Sequence, residues 1–339
     1  MRLSIIVPAY KVENYIEKCI RSLENQDIPK QDFEIIITND GSPDSSKAIV
    51  EKLQLEFNNI VLINQENQGV SVARNNALAI AKGNYIMPID PDDYVLPNAF
   101  KNILEKVEAQ DLDVLYLSFE IFDAEGKSSW QTNFSEQEKK IYDGVDGYLA
   151  SRGPNIKDPN RSWAILYRKS LLDFYKIQYP INVPFLEDGC FLVKVFSVAK
   201  TVGFDNSKFH QRTTSKGSAT VTGVYYSDKA MKGFLKAAKE IKDFQSKYSF
   251  SKKQNGLLNL GIVNFVLLTI FPNVNFSSLN KLKKIIEEIK AAGFVNLETL
   301  GVVEPYYKYA QYFNISPYLF VLKYANEKFY KILFKNFIK

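Results

Sequence analysis

Apolar and polar positions alternate between two rhythms along the first third of the chain. Residues 3–7 form an unbroken apolar run that stops at Pro8. From Val12 the spacing changes: Val12, Ile16, Cys19, Ile20 and Leu23 fall on one helical face, with Glu13, Glu17, Lys18 and Arg21 outside it. The succession then repeats. A strand at residues 33–38 ends at Asn39-Asp40-Gly41-Ser42, Pro43 and Asp44 suit a helix start, and Ile49, Val50 and Leu53 give that helix its apolar side. A strand at 61–64 runs into Gln68-Gly69, and a helix follows with Val72, Ala73, Ala77, Leu78 and Ile80 before Gly83. Tyr85, Ile86, Met87 and Ile89 read as a fourth, buried strand. Four strand–helix alternations, roughly 25 to 30 residues apart, predict a mainly parallel sheet with helices packed on it.

Beyond residue 110 the rhythm loosens. Residues 114–122 read as a strand with Tyr116, Ser118 and Glu120 on one face and Leu115, Leu117 and Phe119 on the other. Residues 123–140 are polar and predict a surface excursion. Residues 162–172 contain Trp163, Tyr167 and Arg168, and Trp163 suits either a sugar-facing aromatic or a core position. Residues 225–248 have amphipathic helical spacing. The run 256–271 is strongly apolar but interrupted by Asn259 and Asn264. It is shorter than the roughly 20 residues that span a bilayer, which predicts a buried helix. Residues 279–292 predict another helix, ended by Gly293. The expected organisation is an α/β domain over residues 1–222, in halves 1–110 and 111–222, followed by a helical region over 223–339.

Composition narrows the class. The 339 residues are 46% hydrophobic and 24% charged, ordinary for a globular protein with room for an α/β domain and something smaller. Only Cys19 and Cys190 are present, which excludes a disulfide framework and predicts reduced thiols in a cytoplasmic setting. Pro8 breaks the N-terminal apolar run early, so that run is expected to be a first strand and not a signal peptide. The formal net charge of +5 resides in residues 305–339, which hold six lysines and one glutamate; residues 1–304 are formally neutral. A nucleic-acid partner is therefore not expected.

In parallel sheets ligands bind beyond the carboxyl ends of the strands. Four loops leave those ends here: Pro8-Ala9-Tyr10, Asn39-Asp40-Gly41-Ser42, Gln68-Gly69, and residues 90–93. The last brings Asp90, Asp92 and Asp93 into four positions. Such carboxylates repel and call for a positive partner, for which a hard divalent cation that leaves positions for phosphate oxygens is one candidate. A cap on a helix starting near Pro97 is the other reading. Glu187-Asp188, ahead of the apolar residues Phe191, Leu192, Val195 and Phe196, likewise suits either a cap or a general base. His210 is the single histidine and suits a structural or a ligand role. Neither a dinucleotide fingerprint nor a P-loop is present.

The stretches SIIVPAYKVENYIEKCIRSLENQ, ITNDGSPDSS and NQGVSVARNNALAIAKGNYIMPIDPDD resemble, in order and spacing, the nucleotide-sugar half of family 2 glycosyltransferases of the GT-A fold. SWAILYRKSLL, FLEDGCFLVKVF and FHQRTTSKGSAT resemble the acceptor half, so the resemblance spans residues 1–222. It implies that Pro8, Ala9, Tyr10 and Glu13 surround the base and ribose of a UDP-sugar and that Asp40 accepts a hydrogen bond from the base. Position 39 departs from the family's Asp-Asp-Gly-Ser, being Asn39, which bears on the base more than on the reaction. Arg74 resembles the residue that approaches the donor phosphates. Asp90 and Asp92 resemble the D-x-D pair, with Asp92 the direct ligand of Mn²⁺ or Mg²⁺. His210 lies where some GT-A enzymes add a cation ligand, and Arg212, Lys216 and Ser218 belong to a loop that could close over the diphosphate. Asp188 takes the place of the base, with Glu187 supporting it or binding the acceptor.

The expectation is an inverting, metal-dependent transfer of a hexose-type sugar from a nucleotide diphosphate donor to a saccharide or lipid-linked acceptor in surface polysaccharide synthesis. A catalytically inactive nucleotide-sugar-binding or scaffold protein of the same fold is the alternative. A nucleotidyltransferase is a third reading, but the chain has Pro8-Ala9-Tyr10 where a Gly-rich basic loop is expected. Independently of the resemblance, Lys328, Lys331, Lys335 and Lys339 share one helical stripe among Phe329, Tyr330, Ile332, Leu333, Phe334 and Phe337. Tyr306, Tyr307, Tyr309, Tyr312 and Phe313 lie upstream. Such a helix can lie in the interface of an anionic bilayer, which predicts peripheral contact with the inner face of the cell membrane; packing of the aromatics with solvated lysines is the other reading.

Overall fold

The computed structural model describes residues 1–123, 126–152, 157, 159–213, 227–271 and 279–325. In chain order the elements are β1 (Leu3–Ala9), α1 (Ile16–Glu24), β2 (Phe33–Asp40), α2 (Ser46–Glu56), β3 (Ile60–Gln65), α3 (Val70–Ile80) and β4 (Tyr85–Pro88). Then come β5 (Tyr94–Val95), α4 (Phe100–Ala109), β6 (Val114–Phe122), β7 (Ser128–Gln131), α5 (Gly144–Ala150), β8 (Ile165–Arg168) and α6 (Lys169–Phe174). The chain continues through α7 (Glu187–Val198), β9 (Val202–Thr213), α8 (Asp228–Lys247), α9 (Lys252–Ile270), α10 (Leu279–Ala291) and α11 (Tyr306–Ile315). These fall into two compact units, Met1–Ile181 with Val198–Val221, and Asn182–Ser197 with Thr222–Lys339.

In the first unit nine strands make one mixed sheet in the order β3-β2-β1-β4-β8-β6-β9-β5, with β7 on β6. β3, β2, β1 and β4 are mutually parallel, in register Ile5↔Ile35 and Ile5↔Met87 across the centre. β8 runs antiparallel to β4 and β6, and β9 runs parallel to β6. All seven residues of β1 and all eight of β2 are buried, as continuous apolar runs covered on both faces must be. One face packs Ile5, Val7, Ile35 and Ile37 with Ile16, Ile20 and Leu23 of α1 and Phe100, Ile103 and Leu104 of α4. Phe33 meets Phe100 edge-on at 5.6 Å.

On the other face a buried polar clamp fixes the entry to β4. Ser4 Oγ donates to Glu34 Oε1 at 2.6 Å, the Lys82 amide donates to the same oxygen at 2.7 Å, and the Gly83 amide donates to Ser4 Oγ at 2.7 Å. A Cβ on Gly83 would stand 2.3 Å from the Ser4 nitrogen, so only glycine fits.

One expectation for this unit changes and one open alternative is decided. Residues 123–140 are more than a surface excursion: β7 pairs with β6, Trp130 packs on Phe119 at 5.0 Å, and Phe134 is buried against Tyr116 and Phe204. Apolar residues spaced singly among polar ones leave no period to read. Trp163 takes the core position, with its ring edge-to-face on Phe119 and stacked on His210.

The second unit is helical, and residues 182–197 pack with its C-terminal helices. The Cys190 thiol approaches the Ala237 carbonyl, and Gly233 and Gly261 admit Pro184 and Val193 closely. α9 begins at a capping box of Ser251 and Gln254 and is buried along most of its length. Its Asn259 interrupts the apolar run because it has partners: Nδ2 donates to the Leu300 carbonyl and Oδ1 accepts from Gln245. Among the described residues no helix is long and apolar enough to cross a membrane. Tyr309 of α11 is buried with Phe271, Phe320 and Tyr324, so at this position the aromatic packs internally. Residues 328–339, which carry the lysine stripe, lie outside the described residues.

Candidate active site

Four loops leave the carboxyl ends of β1, β2, β3 and β4 and enclose a cavity of about 360 Å³, lined by Pro8, Ala9, Tyr10, Asp40, Asn67, Gly69, Val70, Ala73, Asp90, Pro91 and Asp92. Each loop is held by hydrogen bonds to the next. The backbone amides of Lys11, Val12 and Glu13 donate to Ser42 Oγ, Ser46 Oγ and Asp44 Oδ2, at 2.7, 3.0 and 3.1 Å. In return the Ser45 amide donates to Glu13 Oε2 at 2.9 Å. Glu13 thus joins the first loop to the start of α2 and does not line the cavity. Burial pushes the Asp44 carboxyl up, but donation from the Ser42 and Ser46 hydroxyls and the Ser46 and Glu13 amides outweighs it and holds the group at about 2.

Asp40 organises the third loop. Its Oδ1 accepts from Gln65 Nε2 at 2.7 Å and the Gln68 amide at 2.8 Å, and its Oδ2 accepts from the Gly69 amide at 2.9 Å. Three of the carboxylate's roughly four acceptor sites are used, which leaves about one for a ligand donor. Asn39 donates through Nδ2 to Asn64 Oδ1 on the neighbouring strand at 2.9 Å, a bond an aspartate could not donate, while its Oδ1 accepts from the Ser42 amide. Gly41 is at φ +65°, and a Cβ there would stand 2.8 Å from the Asn67 nitrogen. Gly69, at φ +90°, precedes α3, so the amino end of that helix faces the cavity.

The acidic loop closes through the Asp93 amide, which donates to the Asp90 carbonyl at 3.1 Å. Asp90 and Asp92 face the cavity; Asp93 is buried. Asp90 Oδ1 accepts from Arg74 Nη2 at 2.9 Å, and the buried guanidinium lies 5.1 Å from the Tyr179 ring. Arg74 therefore stands behind Asp90 as its counter-charge. Asp93 Oδ2 is 2.7 Å from His210 Nε2. Burial pushes the Asp93 carboxyl up, against the pull of His210 at its Oδ2. Burial, then the negative charges of Asp93, Asp92 and Asp90, also push the Cys19 thiol beneath this loop well up, which keeps it protonated and unreactive.

The acidic loop does not cap the helix that follows it. The amides at the start of α4 bond to Gln26 Oε1 and Asp27 Oδ1, so Asp92 and Asp93 are not its caps. Glu187 and Asp188 are the first two residues of α7 itself, half-buried in its first turn, where negative charge suits the helix dipole.

Pro8, Ala9, Tyr10, Asp40, Asp90 and Asp92 thus share one cavity; Arg74 reaches it through Asp90. His210 is buried on Asp93, and Glu187 and Asp188 belong to the second compact unit. Arg212 lies in β9, its guanidinium 5.6 Å from the Trp163 ring; Lys216 and Ser218 lie outside the described residues. Sequence reasoning missed Gln65, Asn67 and the Asn75 side chain, which pairs twice with the Tyr179 backbone, at 2.9 and 2.8 Å. An asparagine inside a helix carries no signal for a partner 104 residues away.

A mixed sheet whose parallel strands end in loops that wall a cavity, with two carboxylates in its lining, defines an α/β protein with a candidate ligand site at the strand ends. The model for glycosyl transferase family 2 matches residues 4–198, more than half of the chain, and the chain belongs to that family. It is 32% identical over 210 residues to the uncharacterized glycosyltransferase EpsJ of Bacillus subtilis, covering 59% of this chain and 57% of EpsJ. It is 39% identical over 225 residues to the minor teichoic acid biosynthesis protein GgaB of the same organism, covering 64% of this chain and 24% of GgaB. The chain therefore spans little more than half, or less, of these relatives. In fold it is similar to S. aureus TarS 1–349 crystallised with UDP-GlcNAc, with a TM-score of 0.69 at 21% identity over 97% of this chain and 92% of that one.

Proposed function

We propose that this chain is an inverting glycosyltransferase that moves a hexose-type sugar from a nucleoside diphosphate, UDP being the simplest assignment, to a saccharide or lipid-linked acceptor in surface polysaccharide synthesis. The observation that carries the reading is the cavity itself, which gathers Pro8, Ala9, Tyr10, Asp40, Asp90 and Asp92 in a member of family 2. The fold shared with TarS 1–349, crystallised with UDP and with UDP-GlcNAc, supports the donor class, and the relation to GgaB, a teichoic acid biosynthesis protein, supports the pathway class.

In the proposed step the acceptor hydroxyl oxygen bonds to the anomeric carbon as that carbon's bond to the diphosphate oxygen breaks. Asp188 takes the acceptor proton, with Glu187 supporting it, and the nucleoside diphosphate leaves. Tyr10, 42% exposed at the cavity, offers a ring face to the base, and the remaining acceptor site of Asp40 suits a base N–H.

A divalent cation, Mn²⁺ or Mg²⁺, is part of the proposal. The fit is two carboxylates, Asp90 and Asp92, on one cavity wall, which matches cations held by one or two carboxylates plus substrate phosphates. Among the described residues no three His, Cys, Asp or Glu groups converge to hold one alone, so the diphosphate would complete the shell. When bound, the cation would offset the charge that develops on the leaving diphosphate. His210 is left out of this set, because its Nε2 is engaged by Asp93. Peripheral contact of the C-terminal segment with an anionic membrane belongs to the same reading and would suit a lipid-linked acceptor.

The test is a panel of nucleotide sugars with Mn²⁺, read by thermal shift and by release of nucleoside diphosphate. A UDP-sugar should stabilise the protein and release UDP in the presence of acceptor. Stabilisation without release, across acceptors, would favour a binding protein and overturn the enzyme.

A further inference from the structure

Asp93 and His210 are 117 residues apart in sequence and meet beneath the acidic loop. Both carboxylate oxygens of Asp93 are committed to β9: Oδ2 to His210 Nε2 at 2.7 Å and Oδ1 to the Thr213 amide at 2.9 Å. Asp93 is 3% exposed and His210 0%. The imidazole stacks on Trp163, with centroids 4.7 Å apart and planes 17° from parallel. Its Nδ1 is buried without a hydrogen-bond partner. An unpartnered acceptor nitrogen costs less in an apolar setting than an unpartnered N–H, so the proton belongs on Nε2, donated to Asp93.

A buried polar pair of this kind is seldom the most stabilising filling for its volume, and well-packed apolar side chains often do as well or better. What it adds is a fixed register. β5 is only two residues long, and its backbone pairs with His210 and Gln211. That short ladder holds the strand, and the turn before it carries Asp90 and Asp92, with the Arg74 guanidinium on Asp90 as a further side-chain tether. Pro91 and the bond from the Asp93 amide to the Asp90 carbonyl make residues 90–93 one closed unit. Fixing Asp93 therefore fixes where Asp90 and Asp92 point.

We infer that the hydrogen bond between His210 and Asp93 positions the acidic turn, with His210 acting through Asp93 to hold Asp90 and Asp92 at the cavity and not as a ligand of a cation. The positioning stands on geometry alone; its consequence for turnover rests on the glycosyltransferase reading. His210→Phe keeps a ring on Trp163 and deletes the bond, whereas His210→Gln can place an amide N–H near the Nε2 position.

Two readouts on the full chain test this. Hydrogen exchange in the ligand-free protein should quicken across residues 90–96 in His210→Phe by about tenfold or more, the factor expected for losing a charge-assisted hydrogen bond. Exchange in α1 and β2 should stay unchanged, and His210→Gln should restore most of the protection. With a nucleotide sugar that the wild type turns over, His210→Phe should raise the donor KM and lower kcat together, and His210→Gln should recover both. A wild type without turnover defeats the glycosyltransferase reading and leaves the exchange result to decide the positioning. Unchanged exchange in a folded His210→Phe overturns the inference. So does a His210→Gln variant that keeps the turn protected yet loses Mn²⁺ affinity, since that is the behaviour of a ligand. If His210→Phe does not fold, Asp93→Asn is read in the same way; failure of both to fold makes the bond a folding element and overturns the positioning role.

Discussion

Asp92 lines the cavity beside Asp90 and is the direct ligand of the proposed cation, so donor binding should depend on it. Asp92→Ala is expected to lower transfer by about a hundredfold or more and to remove the dependence of donor affinity on Mn²⁺, with the melting temperature nearly unchanged. Titration of UDP with and without EDTA, on wild type and variant, measures this; wild-type transfer that persists in EDTA would sink the cation. Asp188 is tested by a different split. Asp188→Asn removes the proposed base and keeps the shape, so turnover should fall by roughly a hundredfold while donor affinity holds. Collapse of donor affinity with turnover preserved would reassign it. At this scale the sequence shows which side chains carry charge but not what faces them. Asp40, Asp90 and Asp92 were legible as loop carboxylates, whereas the partners that consume part of Asp40 and Asp90, namely Gln65, Gln68, Gly69 and Arg74, emerge only from three-dimensional packing.

Among the elements, the four parallel units β1 to β4 were legible because their strands read as short apolar runs between helical periods, continuous in β1 and β4, which are buried throughout, and shorter in the edge strand β3. β9 was not. Its middle holds Asp205, Asn206, Ser207 and Lys208, beside the register shift between Leu117 and Phe119 of β6, and a strand that bends there carries no continuous alternation. The loops after β1 and β2 are joined through Asp44, and that junction has a pH signature. The carboxyl lies at about 2 in the folded chain against an ordinary 3.8, so its contribution is present above 3.8 and is lost as pH falls through about 2. Asp44→Asn is expected to lower stability at pH 6 by about 1–2 kcal/mol, as for loss of hydrogen bonds to a charged acceptor. The gap between variant and wild type should close as pH approaches 2. Urea unfolding at a series of pH values measures it, and a gap that does not change with pH would show that the carboxylate's charge is not what joins the loops.

For the whole molecule, the division of charge was legible from sequence and the place of residues 182–197 was not. Residues 1–304 are formally neutral and residues 305–339 carry the excess of +5, which any reader of the chain can count. That residues 182–197, with Glu187 and Asp188, pack with the C-terminal helices has no sequence signal, because an apolar helix face does not name its partner. The structure also refines the membrane proposal. Tyr309 and Phe313 are buried, and Tyr324 packs 4.3 Å from Phe271, so the aromatics up to Tyr324 serve the helical unit in part. Ile315, Tyr318 and Leu322 remain exposed on the N-terminal side of the lysine stripe. Removing residues 327–339 therefore takes away Lys328, Lys331, Lys335 and Lys339 and spares the packing of Tyr324. Each lysine near an anionic surface contributes about 1 kcal/mol, so four should separate bound from free by a large factor at low salt and a smaller one at high salt. The full chain is expected to sediment with vesicles containing phosphatidylserine, less so as salt rises, and the shortened chain to stay in the supernatant with its melting temperature kept. Equal, negligible sedimentation of both chains would remove the membrane from the proposal, and equal strong sedimentation would move the contact from the lysines to the exposed apolar residues before them.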